Sequence, residues 1–260
     1  HFGWRYPETI HYGRMKIVGA SLSKSEILRQ IHVGTYKSWD DPRLATFSAL
    51  RRRGIQPEAI KNLILDVGPK TQDITISWEN LYAHNRRLVE PYADRFFFID
   101  HPVQMTVHGV TENFTVKVPF HPEHKDRGVH VFTVKETNGA AHLSIAARDC
   151  EQMASGQLIR LMELFNVQIQ QSNSKGVTSI FHSEEYEKAR AVKAPLIHWL
   201  PSDVGVKCHV ILPDATIAEG LVEPDLRKIE TGRIVQFTRF GFVRIDAKSR
   251  RMITAYFCHR

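Results

Sequence analysis

The hydrophobic pattern of this chain changes period once, near residue 101, and that change limits what it can fold into. From residue 25 to about residue 100, apolar residues recur at helical spacing, as in Ile27, Leu28 and Ile31. Asp41-Pro42 predicts an N-cap and first helical position, for a helix running through Leu44, Phe47 and Leu50. It ends at Gly54, after three arginines whose charge suits a helix C-terminus. Pro57-Glu58 opens another helix, faced by Ile60, Leu63 and Ile64 and ending near Gly68-Pro69. Ser77 caps a third, which carries Leu81, Leu88 and Val89 and stops at or before Pro91. Ahead of them, residues 6–12 and 15–18 read as short strands.

After residue 101 the apolar residues alternate. Val103, Met105 and Val107 do so, and so do Phe114, Val116 and Val118. Residues 129–134, 142–146, 177–181, 206–212, 233–238, 242–245 and 252–257 are further strands. Short strands separated by Gly, Pro and Asn turns predict all-β barrels, and a stretch of about 160 residues suits two small ones. Residues 150–165 follow neither period.

Composition narrows the function. At 260 residues, 42% hydrophobic and 24% charged, the chain is an ordinary globular sequence with room for two to three domains. Its 35 basic against 28 acidic residues leave +7, which fits a polyanionic partner without demanding one. Cys150, Cys208 and Cys258 are too scattered for a disulfide framework or a zinc knuckle. They predict reduced, buried thiols in a cytoplasmic protein. His121 and His124 have a metal-like spacing, but Pro122 and the lack of further ligands favour a turn, so no metal site is predicted. No apolar run is long enough to span a membrane, the opening residues show no basic-then-apolar leader, and no Gly-rich nucleotide loop is present.

The densest chemistry lies between Arg14 and Gly54. A lysine among serines usually makes a solvated loop. Here Leu22-Ser23-Lys24-Ser25 is flanked by Tyr12-Gly13-Arg14-Met15, by Trp39-Asp40-Asp41-Pro42-Arg43-Leu44 and by Leu50-Arg51-Arg52-Arg53-Gly54. Together these resemble the class I glutamyl- and glutaminyl-tRNA synthetases, most of all the archaeal and eukaryotic glutamyl type, with residues 21–25 as the "KMSKS" loop. Amino-acid activation builds negative charge on the α-phosphate and departing pyrophosphate. A compact ammonium on a flexible stem can follow that charge, and loop amides and hydroxyls can hold phosphate oxygens.

The resemblance therefore implies Lys24 as the catalytic cation, Leu22 and Ser23 lining ATP beside it, and Arg14 and Met15 contacting ATP. It implies ATP as substrate, with Mg²⁺ arriving on its phosphates, and glutamate and tRNA as the other substrates. The first lysine of the family signature is Ser21 here. The family's "HIGH" signature is missing: His32-Val33-Gly34-Thr35 follows the lysine loop, where the true motif precedes it. The expectation is the C-terminal part of a longer enzyme, inactive alone.

The implied architecture is multidomain α+β. Residues 1–24 end a class I catalytic Rossmann domain, 25–100 form a helical module touching the inside of the tRNA, and 101–260 form an anticodon-binding region of two antiparallel β-barrels. Within it, the barrel nearer the module takes strands from both ends of the region. Splayed anticodon bases need aromatic or guanidinium platforms, which Arg148, Arg160, Arg239, Phe240 and Phe242 could supply, although barrel core is the ordinary place for such aromatics. Arg51, Arg52 and Arg53 spread around a helix turn; a solvated helix end and phosphate contact by one or two of them both stay open. Trp39, Asp40 and Asp41 read as structural, a packed indole with a cap and ion-pair partners for Arg43. Two other readings remain: a glutaminyl-tRNA synthetase, and a tRNA-binding module without catalytic duty.

Overall fold

The computed structural model describes residues 2–5 and 7–260. The chain forms two compact units. The first contains the residues up to Tyr92 together with Pro213–Ala215 and Cys258–Arg260; the second contains Ala93–Leu212 and Thr216–Phe257.

The first unit is built from strand β1 (Met15–Ile17), helices α1 (Lys24–His32), α2 (Phe47–Arg53) and α3 (Pro57–Val67), strand β2 (Ile74–Ile76) and helix α4 (Trp78–Val89). β1 and β2 pair in parallel. Local signals set most helix ends. The Ser23, Thr46 and Ser77 hydroxyls accept from the amides of Glu26, Ala49 and Asn80, each satisfying one of the free N–H groups of a first turn. Gly54 closes α2 in the left-handed region at φ 93°, where a Cβ would be strained.

Asp41 is a correction. It caps no helix, and Pro42 opens none. Its buried carboxylate turns back on its own segment, accepting the Lys37 amide (3.0 Å) and the Arg43 amide (3.2 Å) and pairing with the Arg43 guanidinium at 2.7 Å. A short polar side chain that bonds the backbone two residues on makes a turn, so helix α2 waits until Thr46. Burial pushes the Asp41 carboxyl up, but the bonds from Arg43 and Lys37 outweigh it and hold it at about 2. The strand expected at 6–12 is absent over Pro7–Tyr12, which is exposed throughout; Tyr6 lies outside the described residues. Leu50, Ile55, Ala59, Leu63 and Leu81 form the main core of this unit.

The second unit is almost entirely β. An eight-stranded sheet takes its strands from residues 102–201, and a seven-stranded sheet takes strands from both ends of the region, 95–100 and 206–259. Both sheets are mixed, which corrects the antiparallel expectation. Gly176–Ser183 runs parallel to Pro102–His108, and Val206–Ile211 runs parallel to Met252–His259. Sequence alternation specifies the buried face of a strand, not the direction of its neighbour, and the long connections here permit parallel pairing. The undecided stretch 150–165 closes a short helix, Ala147–Cys150, and then supplies the strand Leu158–Leu161, antiparallel to Asn166–Asn173.

The seven-stranded path begins at Arg95–Phe96 and ends at Phe98–Asp100, so one chain segment borders both of its edges. Gly220 makes this possible. It pairs with Asp100, and a Cβ there would stand 2.3 Å from the Ile99 carbonyl oxygen and 2.5 Å from the Phe98 ring. The sheet's core includes Phe98 and Phe237, stacked at 5.0 Å, with Val243, Ile245 and Ile253. The core of the eight-stranded sheet includes Met105, Leu143, Ile145, Phe165 and Trp199. Among the described residues no helix is long and apolar enough to cross a membrane.

Candidate functional site

The lysine loop is held from three directions. β1 leads into it, and its neighbour Arg14 donates its backbone N–H to Asp73 at 2.9 Å while Lys16 pairs with the same carboxylate at 3.2 Å. A tight turn follows, with Gly19 in the left-handed region and the Ala20 amide on the Ile17 carbonyl. The Trp78 indole N–H donates to the Val18 carbonyl at 3.0 Å, tying the turn to α4. Gly13 has no room for a side chain, because a Cβ would lie 2.1 Å from the Gln72 carbonyl oxygen.

Lys24 is the first residue of α1 and is exposed. The amides of a helix start carry partial positive charge, so its ammonium adds to a field that already favours anions. Glu26 in the same turn is tied up: Arg29 donates twice to it, at 2.7 and 3.0 Å, and with Gln30 holds its carboxyl at about 2. The Ser23 hydroxyl serves as the helix cap and sits 3.2 Å from the Ser25 hydroxyl, and the Ser21 hydroxyl accepts the Ser23 amide at 3.3 Å.

Beside the loop lies an open hollow of about 350 Å³. Met15, Leu22 and Lys24 contribute to its wall, together with Ile27, Trp39 and Phe47. Three of the five predicted site residues therefore share one surface; Arg14 and Ser23 flank it. The apolar side of the hollow was not foreseen. Phe47, Ile60 and Ile64 were read as core faces because helical spacing does not distinguish a buried stripe from a lining, yet Phe47 is 77% exposed. Among the described residues no group of three or more His, Cys, Asp or Glu side chains could hold a metal. His121 is buried, its Nδ1 accepting the Glu123 amide at 3.2 Å within the His121–His124 turn.

The candidate RNA contacts separate sharply. Arg53 is 1% exposed; its guanidinium lies over the Trp78 and Tyr82 rings and donates to the Tyr82 hydroxyl (2.6 Å) and the Cys258 carbonyl (3.1 Å). Arg52 pairs with Asp40 at 2.8 Å, and Arg51 is the exposed one of the three. Arg160 is buried and donates to Asn166 and the Glu184 carbonyl, so both it and Arg53 serve the interior. Arg239 grips Asp149 with two bonds of 2.7 and 2.8 Å, and Arg148 donates to the Arg239 carbonyl at 3.1 Å. Phe242 is buried, and Phe240 packs edge-on to Phe98 and Phe257. Arg53, Arg160 and Phe242 are thus committed inside the protein, whereas Arg239 keeps an exposed side chain and Arg148 and Phe240 are half-buried.

Residues 1–91 match the family described as tRNA synthetases class I (E and Q), catalytic domain. Residues 93–184 and 196–246 match two anti-codon binding domains of the same class. A glutamate–tRNA ligase of Thermococcus onnurineus is 43% identical over 263 aligned residues, one of Pyrococcus abyssi 46%, and one of Methanopyrus kandleri 40% over 259. Each alignment covers 100% of this chain and 45% of the relative, so the chain spans about half the length of the curated relatives it matches.

Proposed function

We propose, from the premise that the chain belongs to the class I tRNA synthetases of the glutamate and glutamine type, that it is the C-terminal part of a glutamyl-tRNA synthetase, which joins glutamate to tRNA with ATP. The observation that carries this reading is the match, across the whole chain, to relatives named as glutamate–tRNA ligases. Those names disfavour the glutamine alternative.

In this reading Lys24 follows the negative charge that develops on the α-phosphate and the departing pyrophosphate. Its support is the placement of Lys24 at the start of α1, where the helix amides act in the same direction. Leu22 and Ser23 line ATP, and Arg14 and Met15 contact it from the start of β1. Ser23 does so through its backbone, since its hydroxyl caps the helix. Mg²⁺ would arrive on the ATP phosphates. The residues up to the lysine loop close the catalytic domain, the helices that follow it touch the inner face of the tRNA, and the β unit reads the anticodon with two barrels. The seven-stranded path that returns to its own starting segment supports a closed barrel. The enzyme works in the cytoplasm, and this chain alone binds tRNA without charging it.

The test is binding of the chain to glutamate and glutamine tRNAs, with anticodon-substituted controls, at two salt concentrations. Glutamate tRNA should bind best, and its affinity should fall both with added salt and with anticodon changes. A folded chain that bound no tRNA at low salt would overturn the reading.

A further inference from the structure

A basic tip on the β unit takes no part in the lysine loop or the hollow beside it. The turn between the strands Gly241–Lys248 and Met252–His259 reads Lys248-Ser249-Arg250-Arg251. Packed against it is a single turn of 3₁₀ helix, Pro224–Lys228, which brings Arg227 and Lys228. Five cations from two distant parts of the sequence therefore meet at one tip.

The two pieces are stapled to each other by their charges. The Arg227 guanidinium donates to the carbonyls of Ser249 (2.9 Å) and Arg250 (3.0 Å). In return the Lys248 ammonium donates to the carbonyls of Arg227 (3.0 Å) and Ile229 (2.7 Å). The Ser249 hydroxyl accepts the amides of Arg251 (3.3 Å) and Met252 (3.0 Å), which fixes the turn from inside. Arg250 and Arg251 are left exposed at the apex.

The choice of partners is the informative part. A carbonyl orients a cation without neutralising it. The carboxylate Asp225 is engaged by Lys228 at 2.7 Å, and none of Arg227, Lys248, Arg250 or Arg251 is ion-paired among the described residues. If the staple served only to hold the turn, neutral amides could supply the same bonds without gathering like charges, whose repulsion costs stability. The tip instead keeps its positive charge and holds it in a fixed place. Held on an exposed turn, that charge suits an extended polyanion.

We propose that this tip is a docking surface for the phosphate backbone of RNA, one that adds affinity without reading bases. The inference rests on the tRNA-binding reading above and extends it to residues 247–251, which lie beyond the residues 196–246 matched by the anti-codon binding family.

The test compares the chain with R250Q/R251Q and R250K/R251K, measuring affinity for glutamate tRNA and for an anticodon-substituted tRNA across a salt series. The glutamine pair should bind both tRNAs about tenfold more weakly at low salt, with a salt slope shallower by roughly 1 to 2. The lysine pair should keep the slope, and thermal unfolding should not change in either variant, since both positions are exposed. Unchanged affinity and slope in the glutamine pair would overturn this docking surface and leave the proposed function standing. A loss confined to one tRNA would show base reading and overturn the proposal as stated. If the unaltered chain bound neither tRNA, both the surface and the proposed function would fall.

Discussion

His198 shows how much a single buried side chain can set. Its Nε2 donates to the Phe98 carbonyl at 2.7 Å, which leaves Nδ1 unprotonated and facing the Arg239 guanidinium at 3.4 Å. Burial pushes its pKa down to about 4; the Phe98 carbonyl and Asp149 pull it back, and Arg239 and Arg148 lower it further. The unfolded chain holds this histidine near 6.5. Above pH 6.5 both states are neutral and the group contributes no pH dependence. As the pH falls from 6.5 towards 4, the unfolded chain takes up a proton that the folded chain refuses, so stability is lost across that window. At full extent the loss is on the order of 3 kcal/mol. Thermal unfolding followed from pH 7 to pH 4 should decline steeply, and H198Q, which keeps a donor for Phe98, should decline less. Equal slopes would contradict the assignment. The sequence could not have shown this. Arg239 looked like a platform for an RNA base because its partner Asp149 is 90 residues away. Leu22 and Lys24 could be proposed as a site from sequence because their signal is local.

At the scale of elements, the same division holds. Helix ends were legible where a cap and its amide lie within four residues, as at Ser77 and Gly54. The strand Asn166–Asn173 went unread because few apolar residues mark it and register shifts interrupt it, and Ile217–Val222 because its buried face is the small residues Ala218, Gly220 and Val222, which make a weak alternation. In Asn166–Asn173 the buried Val167 and Ile169 are followed by Gln170, Gln171 and Ser172, too short an alternation to register in a window. Gly220 is the sharpest case: in sequence it is an unremarked glycine, and in the sheet it is where two strands approach too closely for a Cβ. G220A sets that Cβ against backbone, which cannot swing aside as a flexible side chain would. Its expected cost is about 3 kcal/mol or more. Urea unfolding monitored by circular dichroism should show a midpoint shifted down accordingly. A midpoint within error of the parent would mean that the strand Phe98–Asp100 yields easily and that the edge pairing is loose.

The whole molecule is not divided where the chain is divided. The last three residues, Cys258–Arg260, belong to the first unit although the strand that carries them begins in the second. Their bonds explain the placement. The Cys258 carbonyl accepts from Arg53, His259 stacks on Tyr82 at 5.6 Å, and Asn85 Nδ2 lies 2.9 Å from His259 Nε2. The other ring nitrogen of His259 faces the Arg260 carbonyl at 3.0 Å, so Nδ1 carries the proton and Nε2 accepts from Asn85. Burial, with Arg86 and Arg53 nearby, holds this ring neutral, its pKa lowered to about 4. Asn85 meanwhile accepts the Gln56 amide at 2.7 Å and donates to the Gly54 carbonyl, so one buried amide joins α2, α3 and the chain end. These contacts span 174 and 205 residues, out of reach of any local pattern. Deleting 258–260 would strip Arg53 and Asn85 of acceptors in the interior, at about 1–3 kcal/mol for each group left unsatisfied. The pairing of Val206–Ile211 with the last strand ends at Tyr256, so that ladder survives the deletion. Hydrogen exchange read by mass spectrometry should then speed up in α2 and α4 while the strand Val206–Ile211 keeps its protection. Equal loss in both units would mean that the tripeptide stabilises the molecule as one cooperative body, and unchanged exchange in α4 would mean that water replaces its bonds without cost.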